Sequence, residues 1–239
     1  MKMHVTPLRA FGDNYIWMIH DPQTGTIAVV DPGEAAPVFE ALENASLDAI
    51  LLTHHHQDHI GGAEALRSVT GARIIGAASQ AHRLPRLDVA VKEGDVIEVG
   101  ALRGNVMETP GHVLGHLSFF FPEGPALFSG DTLFSMGCGR LFEGTPEMMF
   151  QTLKKYAALP DETKLYCGHE YTLSNLAFAR TLNPNDDALR AYDLKARALR
   201  DAGQPTLPSL LGEERQLNPF LTANSSGKLG QLRALKDSF

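Results

Sequence analysis

Cysteine is scarce. Cys138 and Cys167 are the only two, too few for a disulfide framework, so the chain reads as a cytoplasmic protein held together by packing. Long apolar runs are also missing. None approaches the roughly 20 residues that cross a bilayer, so no membrane association is expected. The opening Met1-Lys2-Met3-His4-Val5-Thr6-Pro7 lacks the apolar stretch of a secretory signal. Positive charge is not in excess. The 21 Lys and Arg face 28 Asp and Glu, a net charge of −7, which argues against a nucleic-acid partner. Phosphate-cradling glycine patterns are absent too. Gly61-Gly62 has neither the GxGxxG spacing nor the GKS or GKT that a nucleotide enzyme would use. No repeat or low-complexity segment stands out.

What is present is 239 residues with 44% apolar content, enough for one good core or a core plus a smaller domain. The charge is uneven. Residues 1–169 carry 12 basic and 20 acidic side chains, whereas residues 170–239 carry 9 and 8. The C-terminal part can therefore offer positive groups to an anionic small molecule.

Apolar segments of strand length dominate the first part. Val5 to Leu8, Asn14 to His20 and Thr26 to Val30 read as strands, the last two forming a hairpin across Asp21-Pro22-Gln23-Thr24-Gly25. Ala49 to Leu52 and Gly71 to Gly76 follow. Residues 95–99 with 101–107, and 117–121 with 126–129, read as strand pairs, and Thr163 to Cys167 as the last strand. Pro37 to Asn44, Ala63 to Ser68 and Pro146 to Ala158 read as helices, with Pro146 at a first turn. From about Thr172 the period is helical: Leu176 to Leu182, Asp187 to Gly203 and Leu229 to Ser238. Many β segments with interspersed helices predict an α+β fold of two stacked sheets with helices outside. A boundary is expected near residue 170.

The chemistry concentrates just past strand ends. Thr53-His54-His55-His56-Gln57-Asp58-His59 follows the strand that ends at Leu52, in a loop able to aim several side chains at one place. His112 follows Thr109-Pro110-Gly111, Asp131 follows Ser129-Gly130, and His169 follows Gly168. Imidazoles and carboxylates together suit zinc, iron or manganese. The set divides naturally between two divalent ions: His54, His56 and His112 on one, Asp58, His59 and His169 on the other, with Asp131 able to bridge. His55 is expected to point away. His116 is a candidate hydrogen-bonding neighbour, and Asp21 reads as a turn residue. Asp31 either orients a ligating imidazole or stabilises the Pro32-Gly33 turn. The buried-residue reading is preferred for Cys138 and Cys167 over a cysteine nucleophile.

Thr53-His54-His55-His56-Gln57-Asp58-His59 with His112, Asp131 and His169 resembles the signature of the metallo-β-lactamase superfamily. Gly137 to Thr145, Gly168-His169-Glu170-Tyr171-Thr172, Asn218-Pro219-Phe220-Leu221 and the segment from Leu232 to Phe239 are similar, more narrowly, to the glyoxalase II (hydroxyacylglutathione hydrolase) family. The resemblance implies an αββα sandwich over residues 1–169 and a small helical substrate-binding domain over 170–239. It implies a binuclear centre, most often of zinc, whose hydroxide cleaves S-D-lactoylglutathione or related 2-hydroxyacyl thioesters, with Asp58 and Asp131 at the reacting centre. This is the chemistry of methylglyoxal detoxification. Arg140, Phe142, Tyr171, Arg233 and Lys236 match the family's glutathione-binding positions. Phe142 lacks the hydroxyl usual there, and Thr222 stands where an arginine commonly follows Asn218-Pro219-Phe220-Leu221. A monomer is expected.

Three other readings compete. A persulfide dioxygenase would need oxygen chemistry at one iron, and the full ligand set for a second ion argues against it. A lactonase or β-lactamase would not need the basic groups of the C-terminal part. A metal-stabilised binding module without turnover would need saturated ions and no pocket.

Overall fold

The computed structural model describes residues 3–239. The chain divides into two compact units, Met1–Thr109 with Gly115–Gly130, and Pro110–Leu114 with Asp131–Phe239.

The first unit begins with β1 (His4–Ala10), β2 (Asn14–His20), β3 (Ile27–Val30), α1 (Ala36–Leu42) and β4 (Ala49–Leu51). Next come α2 (Gln57–Ile60), α3 (Ala63–Thr70), β5 (Arg73–Ala77) and β6 (Val89–Val91). β1 to β6 form one sheet in chain order. β1, β2 and β3 run antiparallel, as the expected hairpin requires, and β3 to β6 run parallel. β4 is buried along its whole length, as a central parallel strand covered on both faces must be. Ile16, Val29, Ile50 and Ile74 of the sheet pack with Val38 and Leu42 of α1 and Leu66 of α3. α3 stops at Gly71, whose φ of 74° gives the left-handed cap that a side chain would resist.

The rest of this unit is a meander of β7 (Val96–Val99), β8 (Leu102–Glu108), β9 (Leu117–Phe121) and β10 (Ala126–Gly130), all antiparallel. β8 alternates buried and exposed over most of its length, while every residue of β9 and β10 is buried. Alternation marks a strand wetted on one face, and continuous burial marks one covered on both.

The second unit holds β11 (Leu133–Phe134), β12 (Gly137–Cys138), α4 (Pro146–Ala157), β13 (Lys164–Cys167), α5 (Thr172–Leu182) and α6 (Asp187–Asp201). It ends with β14 (Ser209–Leu210), α7 (Leu211–Leu217) and α8 (Ser226–Asp237). β11 and β12 form a hairpin, and Thr145, Asp186 and Ser225 cap α4, α6 and α8 through their side-chain oxygens. Met136, Leu176, Ala179, Leu189, Tyr192 and Ala196 make a buried cluster among these helices.

Element order and pairing are those of the expected αββα sandwich with a helical C-terminal extension. Several expectations change in detail. Residues 57–60 form a helical turn rather than loop, too short to show a period. Thr163 to Cys167 is not the last strand, because β14 pairs with it. α5 starts at Thr172 and α8 at Ser226, each earlier than the apolar spacing indicated.

Candidate metal centre and pocket

In the first unit the parallel strands β3 and β4 end side by side, and the ligand-type residues stand just beyond them. Thr53, His54, His59 and Asp31 are all buried. Asp31 has a φ of 53°, a left-handed conformation that Asp tolerates better than most residues. Its carboxylate accepts the Thr53 backbone N–H at 2.8 Å, the Thr53 hydroxyl at 2.6 Å and His59 Nδ1 at 3.0 Å. Ligand atoms of Asp31, His54 and His59 lie within 4.8 Å of one another.

These contacts fix tautomers. The single hydroxyl proton of Thr53 goes to Asp31, so Thr53 Oγ1 accepts from His54 Nδ1, 3.0 Å away. His59 likewise donates from Nδ1. Both rings therefore present Nε2 as an electron-pair donor, the state a metal ligand needs. His54 Nε2 lies 3.0 Å from His56 Nδ1, close to the edge of a nitrogen coordination polyhedron with bonds of about 2.0–2.1 Å. Asp58 Oδ2 lies 3.4 Å from His59 Nε2 and accepts from Asn14 Nδ2 at 3.0 Å. Gly33 lets the two loops meet, since a Cβ there would collide with the Asp58 carbonyl. Of the two readings of Asp31, it is the orientation of ligating imidazoles that these bonds favour.

The second unit carries the other ligand-type group. His112 Nδ1 lies 2.8 Å from the Arg140 carbonyl, which can only accept, so this ring too presents Nε2. Asp131 Oδ2 lies 3.7 Å from His112 Nε2 and 3.3 Å from His169 Nε2. All three are buried. Tyr171 stacks on the His169 ring at 4.6 Å and 7°, and Phe134 meets both rings edge-on. Each unit thus holds one cluster with the donor chemistry of a divalent-metal site.

A cavity of about 600 Å³ opens within the second unit, and His112 and Asp131 line it together with Arg140, Phe142, Tyr171, Arg233 and Lys236. The cationic residues differ in kind. Arg140 is largely exposed. Arg233 is buried, donates to the Cys138 carbonyl at 2.7 Å and to Asp237 at 3.1 Å, and lies over the Phe220 ring. Lys236 bonds the carbonyl and hydroxyl of Ser174. Its pKa is lowered, first by burial and then by the positive charges of Arg233 and Arg140. Burial pushes the Cys138 thiol up to about 12, which leaves it protonated and poorly nucleophilic at neutral pH.

Sequence reasoning missed Asn14 and Thr53 and left His116 without a firm role. Asn14 was visible as a polar residue heading an apolar strand. Thr53 is part of the quoted motif, yet only the fold shows its hydroxyl between Asp31 and His54. His116 is fully buried, bonds Thr109 at 2.9 Å and stacks on His54 at 5.1 Å.

Fold and clusters together define a metal-dependent hydrolase of the metallo-β-lactamase class. The model of the Metallo-beta-lactamase superfamily matches residues 9–169, and that of the Hydroxyacylglutathione hydrolase C-terminus matches 170–239. A hydroxyacylglutathione hydrolase of Rhodospirillum rubrum is 49% identical over 226 residues, which are 94% of this chain and 88% of the relative. One from Rhodopseudomonas palustris is 46% identical, over 98% of this chain and 92% of its own. Among solved structures, ETHE1 from Myxococcus xanthus aligns with a TM-score of 0.74 at 25% identity, over 98% of this chain and 90% of that one. The BLEG-1 B3 metallo-beta-lactamase aligns at 0.69 and 23% identity, over 92% and 100%, a likeness of fold. The chain belongs to the hydroxyacylglutathione hydrolase family of this superfamily.

Proposed function

We propose that this protein hydrolyses S-D-lactoylglutathione and related S-2-hydroxyacylglutathiones to glutathione and the 2-hydroxy acid. One observation carries the reading beyond family membership: His112 and Asp131 line the same cavity as the cationic Arg140, Arg233 and Lys236. A ligand with carboxylates at one end and a reactive acyl group at the other fits that combination.

In this reading His54, His56 and His112 would hold one divalent ion and Asp58, His59 and His169 a second, with the Asp131 carboxylate available to both. Zinc suits the set best, with iron or manganese as substitutes. Such a pair supplies hydroxide near neutral pH and Lewis acidity toward the thioester carbonyl. The chain's own residues do the rest. Asp31 and Thr53 hold His54 and His59 in the ligating tautomer. Asn14 steadies Asp58, which in turn orients the nucleophile. Tyr171 and Phe134 brace the His169 ring. Arg140 and Lys236 anchor the carboxylates of the tripeptide, with Phe142, Tyr171 and Arg233 completing the wall. A thiolate is a fair leaving group, so no strong general acid is needed. Residues 1–169 act as the catalytic domain and 170–239 as the substrate-binding domain, in a cytoplasmic monomer.

The test is thioester hydrolysis by purified protein, with bound-metal stoichiometry measured alongside. S-D-lactoylglutathione should turn over much faster than a lactoyl thioester of a simple thiol, with about two ions per chain. Equal rates on both would overturn the glutathione assignment.

A further inference from the structure

Glu214 on α7 is completely buried and is met by neutral donors. It accepts the Met136 backbone N–H at 2.8 Å, Asn218 Nδ2 at 2.9 Å and the Ser209 hydroxyl at 2.7 Å. A buried carboxyl held this way is costly, and a purely packing role would be met by an apolar side chain. What its partners share is one piece of chain. Asn218 Nδ2 also donates to the carbonyls of Phe134 and Gly137, at 3.2 and 3.1 Å. Asn175 donates to the carbonyl of Ser135 at 3.0 Å, and Arg233 to that of Cys138. The carbonyls of Phe134, Ser135, Gly137 and Cys138 and the amide of Met136 are thus satisfied by side chains of α5, of α7 with the Asn218 that follows it, and of α8. The turn needs such support, because Met136 stands at a φ of 57°.

The β11–β12 hairpin begins two residues after Asp131 and ends two before Arg140. It carries Phe134 and Cys138, which line the cavity. We propose that Glu214 and Asn218 are positioning residues: they lock the hairpin so that Phe134 and the chain on either side shape the cavity for the tripeptide of a glutathione thioester. This deepens, and rests on, the functional reading above. Neither residue touches the substrate in this account; each acts through the backbone it holds.

The experiment compares the metal-loaded wild type with Glu214→Ala, Glu214→Gln and Asn218→Ser. It records kcat and KM on S-D-lactoylglutathione and on a lactoyl thioester of a simple thiol, bound metal, and hydrogen exchange over residues 133–138. Glu214→Ala should raise KM for the glutathione thioester by at least about tenfold, with the simple thioester and metal content little changed and exchange of the Met136 amide accelerated. Glu214→Gln, which keeps an acceptor for that amide, should recover most of the difference. Equal losses on both thioesters, or unchanged kinetics and exchange, would overturn the proposal. If Glu214→Ala does not fold, Asn218→Ser decides by the same criteria. If the wild type shows no preference for the glutathione thioester, the functional reading fails instead. Faster exchange in Asn218→Ser would then still support the clamp, and unchanged exchange would overturn it.

Discussion

Asp31 shows how one side chain can govern several others. It collects the Thr53 amide, the Thr53 hydroxyl and His59 Nδ1, and through Thr53 it also sets His54. Asp31→Asn keeps the shape but replaces one acceptor oxygen with a donor, so the variant should lose metal affinity by about 10–100-fold. Competition with a chelator measures this directly, and unchanged affinity would mean the tautomers are set elsewhere. Lys236 sits at the other end of the problem. Its ammonium reaches the cavity, and neutralising it by Lys236→Ala should remove one charge-assisted bond to substrate, about 1.5–3 kcal/mol, read as a raised KM with kcat nearly unchanged. The candidate ligand residues stood out in the sequence because each of the later three stands beside glycine or proline just past an apolar run. Thr53 and Asn14 were not, because a hydroxyl or an amide declares its role only when its partner, distant in the chain, is in place.

Elements divide in the same way. β2, β4, β9 and α4 announce themselves, by apolar runs, by burial-compatible length, and by Thr145-Pro146 at a helix start. β11, β12 and β14 have two residues each, too few to carry any period, and their existence depends on what they pair with. α7 was equally silent, yet it supplies Glu214. Burial raises the pKa of that carboxyl above its usual 4.5. A carboxyl raised on folding adds stability at low pH and loses that contribution as pH rises through its folded value. The melting temperature of the wild type relative to Glu214→Gln should therefore fall as pH rises from below 4.5 toward neutrality. Thermal melts across that range check the slope. A difference independent of pH would show that folding leaves the proton affinity of Glu214 unchanged.

Across the whole chain, ligand-type residues lie at positions 54 to 59, 112, 131 and 169, so the spread in sequence is wide while each short segment is simple. That is why the family was readable from the sequence, while the division into compact units, which leaves Pro110–Leu114 with the later residues, was not. A short segment that changes partners leaves no compositional mark. The spread also has an energetic consequence. Ions bound by residues far apart in the chain stabilise the folded state alone, since an unfolded chain cannot gather the same ligands. Each ion present at about 100 times its dissociation constant should add about 2.7 kcal/mol. Stripping the protein with a chelator should thus abolish hydrolysis and lower the melting temperature together, and zinc should restore both. Calorimetry and thioester assays on the same stripped and reloaded samples test the coupling. Full turnover by metal-free protein would overturn the proposed chemistry. Loss of turnover with no change in melting would instead place the ions on ligands that the unfolded chain already brings together.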